Sequence, residues 1–226
     1  MSWIQVEYPT ALNDSLKRTI SNISPISKGF RETTTTISSV PNPVRQKMHT
    51  YAAWAVIPDH VSSRIKKVME GLRDEFGGPE ITPHIPVLGS IRTRADDVIR
   101  NFKEACGKSS CFPCTVVDVL PGPFYYQNVY LFIHPDQVTY PIRNFTDHFD
   151  KLDIDLLKLK TSMPHFSLLY GELTDEEKEK AKERAMVLDD GLVGLTFTIT
   201  RFALYKCNKD RTQQSWEKIA EHSLPR

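Results

Sequence analysis

The spacing of apolar residues along this chain changes at regular intervals, and each change predicts a secondary-structure element. Residues 49–57 are mostly apolar, which is typical of a short buried strand. A helix face follows, and Phe76-Gly77-Gly78-Pro79 ends it. The apolar positions of that face are Val61, Ile65, Val68, Met69 and Leu72. Runs of strand and helix joined by tight turns favour an α+β fold over a doubly wound parallel sheet.

The same rules predict the remaining elements. Further strands are expected over residues 80–91, 113–120 and 125–133, around His165, and over Leu195–Tyr205. Helices are expected after Thr93 and over residues 136–150 and 174–188. A turn at Pro121-Gly122-Pro123 joins two of the strands, and a last short element is expected at Trp216–Ala220.

Two short segments repeat each other within this pattern. Pro83-His84-Ile85-Pro86-Val87-Leu88-Gly89 and Pro164-His165-Phe166-Ser167-Leu168-Leu169-Tyr170 each place a histidine in a predicted strand, 81 positions apart. At the same offset Thr93 matches Thr174, and each threonine precedes an acidic residue by three positions, as in a capping box. The repeat predicts two lobes related by an approximate two-fold axis, with one histidine from each lobe facing a shared cleft.

The paired histidines indicate acid–base chemistry on a phosphate. Side chains alternate along a strand, so Thr82 shares a face with His84, and Ser167 with His165. One neutral imidazole can deprotonate a water while the opposite, protonated imidazole gives a proton to a leaving ribose oxygen. Hydroxyl groups can hold the phosphate oxygens. This set predicts hydrolysis of a cyclic phosphodiester without a metal ion, whereas a lone histidine on an apolar strand would be structural.

The pattern His-x-(Ser/Thr)-hydrophobic occurs in full at His165 and with proline at the third position at His84, and this pair of motifs resembles the two-histidine (2H) phosphoesterase superfamily. Three further segments are similar to its plant cyclic phosphodiesterase branch, namely Tyr51–Ala55, Phe124–Val129 and Met163–Tyr170. The similarity covers about residues 48–224. The resemblance implies a bilobal α+β fold around a central cleft. It implies an activity that opens ADP-ribose 1″,2″-cyclic phosphate, a by-product of tRNA splicing, to the 1″-phosphate. Nucleoside 2′,3′-cyclic phosphates would be opened to 2′-phosphates.

The resemblance also implies roles for individual residues. His84 and His165 would be the catalytic pair, and Ser167 would donate a hydrogen bond to a phosphate oxygen. Tyr170 would be a further polar contact near the phosphate. Trp54 is expected to stack on the base of the substrate, with a buried core tryptophan as the alternative. No cofactor or metal is implied.

Pro86 departs from the family pattern, which has threonine or serine at this position. Proline removes both the hydroxyl and a backbone N–H. Losing one hydrogen bond to a charged phosphate costs about 1.5–3 kcal/mol, and Thr82 is expected to compensate in part. The sequence therefore predicts an impaired enzyme. A non-catalytic nucleotide- or RNA-binding module that keeps the cleft is the alternative.

Other classes of protein are less consistent with the sequence. A serine hydrolase would need a G-x-S-x-G motif, which the chain lacks, and no Cys–His pair stands out. A scaffold protein with two structural histidines would show no change in stability when a nucleotide is added. The single C-x-x-C motif, Cys111 to Cys114, lacks the second ligand pair that a zinc site needs.

Charge and composition limit the partners. The formal net charge is +1, which gives no broad basic field for DNA, and no apolar run approaches the ~20 residues that span a bilayer. The expected partner is a small cyclic-phosphate nucleotide, with neither DNA nor a membrane, and the expected state is a monomer. Four cysteines are too few for a secreted disulfide scaffold, which favours the cytoplasm.

Residues 1–47 differ in composition from the rest of the chain. They are rich in serine and threonine and poor in acidic residues, and they predict a disordered extension. The same composition is typical of an organelle transit segment, which is the alternative. The folded cyclic phosphodiesterase domain is expected over residues 48–226, formed by the two repeated lobes.

Overall fold

The structure is a computed structural model that describes residues 47–149 and 165–226. The predicted N-terminal extension lies outside these residues except for Lys47, and so does the segment 150–164. The elements of the described part are β1 (Met48–Val56), α1 (Asp59–Phe76), β2 (His84–Arg94), α2 (Ala95–Lys108), β3 (Phe112–Pro121), β4 (Val129–Ile133), α3 (Pro135–Thr146), β5 (His165–Leu169), α4 (Asp175–Leu188), β6 (Thr196–Ile199), β7 (Arg201–Cys207) and β8 (Glu217–Ser223). Short 3-10 turns lie at Tyr125–Gln127 and Asp147–Phe149.

The strands form two antiparallel sheets of four strands each. The first sheet has the order β2-β1-β7-β8, and the second has the order β5-β4-β3-β6. Each strand that begins with a motif histidine lies at the edge of its sheet, and the edge strands β2 and β5 approach each other with Cα atoms within 8 Å. This arrangement confirms the predicted α+β fold with two lobes.

Two helices connect the lobes, because each contacts a strand of the sheet that it does not adjoin in sequence. Helix α1 follows β1 of the first sheet, yet it contacts β5 of the second sheet and helix α4. Helix α3 follows β4 of the second sheet, yet it contacts β2 of the first sheet and helix α2. The apolar face predicted for α1 is buried at all five positions, and each large side chain so buried stabilises the fold by about 1.5–3 kcal/mol.

One of the two predicted capping boxes forms. The Thr174 hydroxyl accepts a hydrogen bond from the Glu177 backbone N–H, and the Glu177 carboxylate accepts one from the Thr174 N–H at 2.7 Å. At Thr93 the prediction is wrong. Strand β2 continues to Arg94, which is the N-cap of α2 without a side-chain bond, and Thr93 is only 3% exposed within the strand. The strand passes directly into the helix, so Thr93 is a buried residue of β2 and does not cap α2.

Three other expectations are corrected. The predicted strand Leu195–Tyr205 is two strands, because the chain leaves β6 of the second sheet at Thr200 and enters β7 of the first. The connection between β3 and β4 contains a 3-10 turn and is longer than the predicted Pro-Gly-Pro turn. The first histidine strand begins at His84 instead of residue 80.

In the described part of the chain, no helix is long and apolar enough to cross a membrane.

Candidate active site

His84 is buried at the start of β2, with 6% of its surface exposed. Its Nδ1 lies 2.6 Å from the Thr82 carbonyl oxygen. A carbonyl can only accept, so Nδ1 donates and Nε2 keeps its lone pair. Burial lowers the pKa of His84 to about 4, the hydrogen bond to Thr82 opposes this change, and the charge of His165 lowers the pKa further. At neutral pH His84 is therefore an uncharged imidazole with Nε2 free to accept a proton.

Trp54 of β1 holds the plane of the His84 ring. The two rings stack with centroids 3.8 Å apart and an interplanar angle of 17°. They meet because β1 pairs Trp54 with Pro86 and Val56 with His84, which makes the two aromatic residues diagonal neighbours on one face. Trp54 is 5% exposed, so its burial favours the core tryptophan over base stacking, which stays a prediction.

A second aromatic layer lies against Trp54. The ring of Tyr205, on β7, is 4.0 Å from that of Trp54, and the ring of Trp216 is 5.5 Å away. Tyr205 reaches Trp54 because β7 pairs Ala203 with Trp54, which leaves Tyr205 diagonal on the same face. The surroundings of His84 in the first sheet are therefore largely aromatic and apolar.

Thr82 and Pro86 flank His84 on either side. Thr82 precedes the strand and is exposed, and it holds the imidazole through its backbone carbonyl. The expected role of its hydroxyl on the phosphate stays a prediction. Pro86 is half-buried in an edge strand, where proline is tolerated because only one side needs hydrogen bonds.

His165 begins β5 and is half-buried, so it is more accessible than His84. Its ring meets the ring of Tyr130 edge to face, with centroids 5.9 Å apart. Ser167 is two residues further along the same face and 6% exposed, and its hydroxyl donates to the Tyr126 carbonyl at 2.6 Å. The Ser167 hydroxyl must break this hydrogen bond and rotate before it can donate to a phosphate oxygen.

Tyr170 follows β5 and is almost completely buried. Its hydroxyl lies 3.5 Å from Gln213 Oε1, and its ring contacts the rings of Tyr125 and Tyr126. Burial raises the pKa of Tyr170 well above its usual range, so the phenol stays protonated at neutral pH. The hydroxyl thus contacts the connection between β7 and β8, and its expected contact with the phosphate stays a prediction.

The structure brings the two histidines together. Strands β2 and β5 are adjacent, and His165 is near enough to lower the pKa of His84 by its charge. One imidazole is buried and uncharged, and the other is more exposed, beside a serine hydroxyl. Such a pair can remove a proton on one side of a phosphate and deliver a proton on the other.

Several site residues were missed by the sequence analysis, among them the segment 208–216 between β7 and β8. The Asp210 carboxylate accepts from the backbone and hydroxyl groups of both Thr212 and Ser215, which holds its pKa well below its usual range. The indole of Trp216 donates to the Asp210 carbonyl at 3.2 Å. The Asp-x-Thr pattern was a local signal for this turn, but its contacts with Trp54 and Tyr170 are long-range.

The cysteines give no support for a thiol nucleophile. All four carry free thiols. Burial raises the pKa of Cys106, Cys114 and Cys207 to about 12 each, so their reactive thiolate form is negligible at neutral pH. Over residues 47–149 and 165–226, no three His, Cys, Asp or Glu side chains are grouped as metal ligands would be.

Comparison with known proteins identifies similar chains. A cyclic phosphodiesterase of Arabidopsis thaliana is 38% identical over 179 residues, which span 79% of this chain and 97% of the relative. LigT of E. coli, solved in apo form, matches with a TM-score of 0.55 at 13% identity, over 80% of this chain and 100% of that one. Its complex with 3′-AMP matches with a TM-score of 0.52 at 12% identity, over the same shares of both chains. A Thermus thermophilus protein matches with a TM-score of 0.55 at 12% identity, over 77% and 97% of the two chains. No model of a protein family matches.

Proposed function

This chain belongs to the cyclic phosphodiesterase branch of the 2H phosphoesterases and is a hydrolase of cyclic phosphates, and we propose that His84 is its general base and His165 its general acid. The observation that carries this assignment is the difference between the two imidazoles. His84 is uncharged at neutral pH, with Nδ1 bonded to a carbonyl and Nε2 available. His165 is the more accessible ring.

In the proposed reaction a water attacks the phosphorus atom of the cyclic phosphate. The water gives one proton to His84 Nε2 while its oxygen forms the new P–O bond. The P–O bond to one ribose oxygen breaks, and protonated His165 gives its proton to that oxygen. The product is a phosphate monoester, and the two histidines have exchanged protonation states. Proton exchange with solvent then restores both groups.

Ser167 is proposed to bind a non-bridging phosphate oxygen. Its hydroxyl lies two residues from His165 on the same face of β5, and it turns away from the Tyr126 carbonyl when the phosphate arrives. A hydrogen bond that strengthens as charge develops on the phosphate stabilises the transition state. Pro86 offers no hydroxyl at the matching position of β2, so the second lobe supplies most of the phosphate contacts.

The proposed substrates are those of the plant branch. They are ADP-ribose 1″,2″-cyclic phosphate, opened to the 1″-phosphate in the aftermath of tRNA splicing, and nucleoside 2′,3′-cyclic phosphates, opened to 2′-phosphates. The proposal includes action on small nucleotides instead of DNA, without metal or cofactor, by a monomer in the cytoplasm. The Arabidopsis relative, a cyclic phosphodiesterase matched over 97% of its length, supports a cyclic phosphodiester as the substrate.

Pro86 supports a second candidate function, because it provides no hydroxyl for the phosphate. This function is a module that binds cyclic nucleotides without hydrolysing them. The proline is half-buried in β2, opposite Trp54 and on the face of His84. One assay separates the two functions. The full chain is incubated with each cyclic phosphate in EDTA, and product is followed by ³¹P NMR.

Turnover in EDTA with a single monoester product supports the enzyme. Tight binding with no product supports the binding module, and activity that EDTA removes and zinc restores would overturn the metal-free mechanism. The position of the remaining phosphate identifies which ribose oxygen leaves. A 3′-phosphate product would refute the proposed substrate orientation.

A further inference from the structure

A cationic and aromatic surface lies near Ser167 of the second lobe and has no part in the proposed reaction. Its aromatic members come from the connection between β3 and β4, where Phe124 is 64% exposed and Tyr126 is 41% exposed. Its cation is Arg211, from the segment 208–216. We call these three residues together with Tyr125 the Arg211 platform.

Arg211 lies over the aromatic rings of the platform. Its guanidinium carbon lies 3.9 Å from the centre of the Tyr125 ring and 5.9 Å from that of Tyr126. Hydrogen bonding to Tyr126 and the charge of Glu172 raise the pKa of Arg211, so it is always charged. A guanidinium over the face of a ring directs its N–H groups outward in its own plane, where two of them can bind two oxygens of a phosphate.

The segment that carries Arg211 is fixed internally and to the second lobe. Asp210 accepts four hydrogen bonds from the two residues Thr212 and Ser215. Gln213 lies within hydrogen-bond distance of the buried Tyr170 hydroxyl. A pre-organised cation loses little entropy when it binds a ligand, which separates Arg211 from a mobile surface arginine.

The platform is connected to the phosphate position by one residue. Tyr126 lies next to the guanidinium, and its carbonyl accepts the Ser167 hydroxyl at 2.6 Å. The ion pair of Arg211 with Glu172 is long, at 3.3 Å, and both side chains are mostly exposed, at 56% and 77%. Such an exposed pair contributes little, so an arriving phosphate can replace Glu172.

We propose that Arg211, stacked on Tyr125, binds a second phosphate group of the substrate, so that the enzyme prefers ribose cyclic phosphates that carry a further phosphate on the far side of the ribose. The inference rests on the proposed function, because the cyclic phosphate must lie between His84 and His165. With a formal net charge of +1, the chain as a whole attracts anions only weakly, so a preference for the additional phosphate requires a local site.

The test compares two substrates that differ by one group. They are adenosine 2′,3′-cyclic phosphate and its 5′-phosphorylated form, and kcat/KM is measured for each with the full chain. Arg211→Gln should reduce the preference for the 5′-phosphorylated substrate by about tenfold, and Arg211→Lys should retain part of it. Lys209→Gln removes a charge from the same exposed segment and should change the preference by less than about twofold.

An unchanged preference in Arg211→Gln, or an equal loss on both substrates, would overturn the inference. Binding decides the matter independently of turnover. Calorimetry with adenosine 2′-phosphate and adenosine 2′,5′-bisphosphate should show the same change in affinity ratio, even for a chain without hydrolytic activity. Absence of turnover on both substrates would therefore refute the proposed function, while the affinity ratio would still support or refute the role of Arg211.

Discussion

The two histidine strands arise from one repeated motif, but their imidazoles lie in different surroundings. In the first lobe, His84 is 6% exposed, stacked on Trp54 and bonded to a backbone carbonyl. In the second lobe, His165 is half-buried and meets the Tyr130 ring edge to face, and Ser167 lies two residues further along the strand. The two related motifs, which differ at Pro86 and Ser167, therefore lie in one apolar and one polar half-site.

The difference shows how a symmetric fold can perform an asymmetric reaction. A general base must be unprotonated and a general acid protonated at the same pH. Two histidines in identical surroundings would have the same pKa, so neither would be fixed in the base or the acid role. Burial against Trp54 keeps His84 uncharged. If the phosphate contacts are concentrated beside His165, as proposed, the absence of a hydroxyl at Pro86 costs less than the absence of one at Ser167 would.

The largest effect is expected from removing either imidazole. His84→Ala and His165→Ala should each lower kcat by about 10²–10⁴-fold, because each deletes one proton transfer. His60→Ala removes an exposed histidine of α1 and serves as the control. Kinetics at pH 7 and thermal melting of each variant test this. Full activity in either His84→Ala or His165→Ala, at an unchanged melting temperature, would contradict the proposed pair.

The second effect concerns stability against acid. The folded-state pKa of His84 is about 4, below its unfolded value of about 6.5. The unfolded chain therefore binds more protons between these values, and the free energy of unfolding falls as pH decreases from about 6.5 to 4, by about 2–3 kcal/mol. Urea unfolding at several pH values should show this slope, and His84→Asn should flatten it. An equally steep slope in His84→Asn would mean that other groups cause it.

A smaller effect is expected at Trp54. Trp54→Leu exposes the His84 ring to water, so the pKa of His84 rises toward its usual value and the acid limb of kcat/KM moves to higher pH. We expect a loss of about tenfold at pH 5 and less at pH 7. Trp54→Phe keeps an aromatic face and should shift the limb less. A raised KM with no shift of the pH profile would instead favour the base-stacking prediction.

The sequence was informative where one local pattern had one structural solution. The five apolar positions of α1 and the Thr174–Glu177 box are local, and both predictions are confirmed. Thr93 has the same local pattern, but β2 continues past it, because its side chain is buried within the sheet. Local propensity was outweighed there by tertiary packing.

The candidate site was predictable only in part, for the same reason. The two histidines and Ser167 belong to a repeat that can be read along the chain. Contacts such as Trp54 with Trp216, or Arg211 with Tyr125, join residues far apart in sequence and depend on how two sheets meet. Neither spacing nor composition encodes such pairs in a single sequence. The proposed acid and base roles rest on the burial of each imidazole, which only the structure provides.

The smallest effect, and the sharpest probe of the two lobes, is expected at Pro86. Pro86→Thr restores a hydroxyl on the face of His84 and makes the first lobe resemble the second. If that hydroxyl binds a phosphate oxygen through the reaction, kcat/KM should rise by up to about tenfold. Pro86→Ala restores the backbone N–H without the hydroxyl, so it separates a gain in strand stability from a gain in phosphate binding.

The double variant Pro86→Thr with Ser167→Ala completes the comparison. Ser167→Ala alone should lower kcat/KM by about tenfold or more, since no hydroxyl at Pro86 replaces it. The restored threonine should recover part of this loss if both lobes can bind the same phosphate. Melting temperatures measured beside the kinetics show whether each variant remains folded. An unchanged kcat/KM in well-folded Pro86→Thr, with no recovery in the double variant, would mean that the apolar half-site binds no phosphate oxygen and that the division between the lobes is complete.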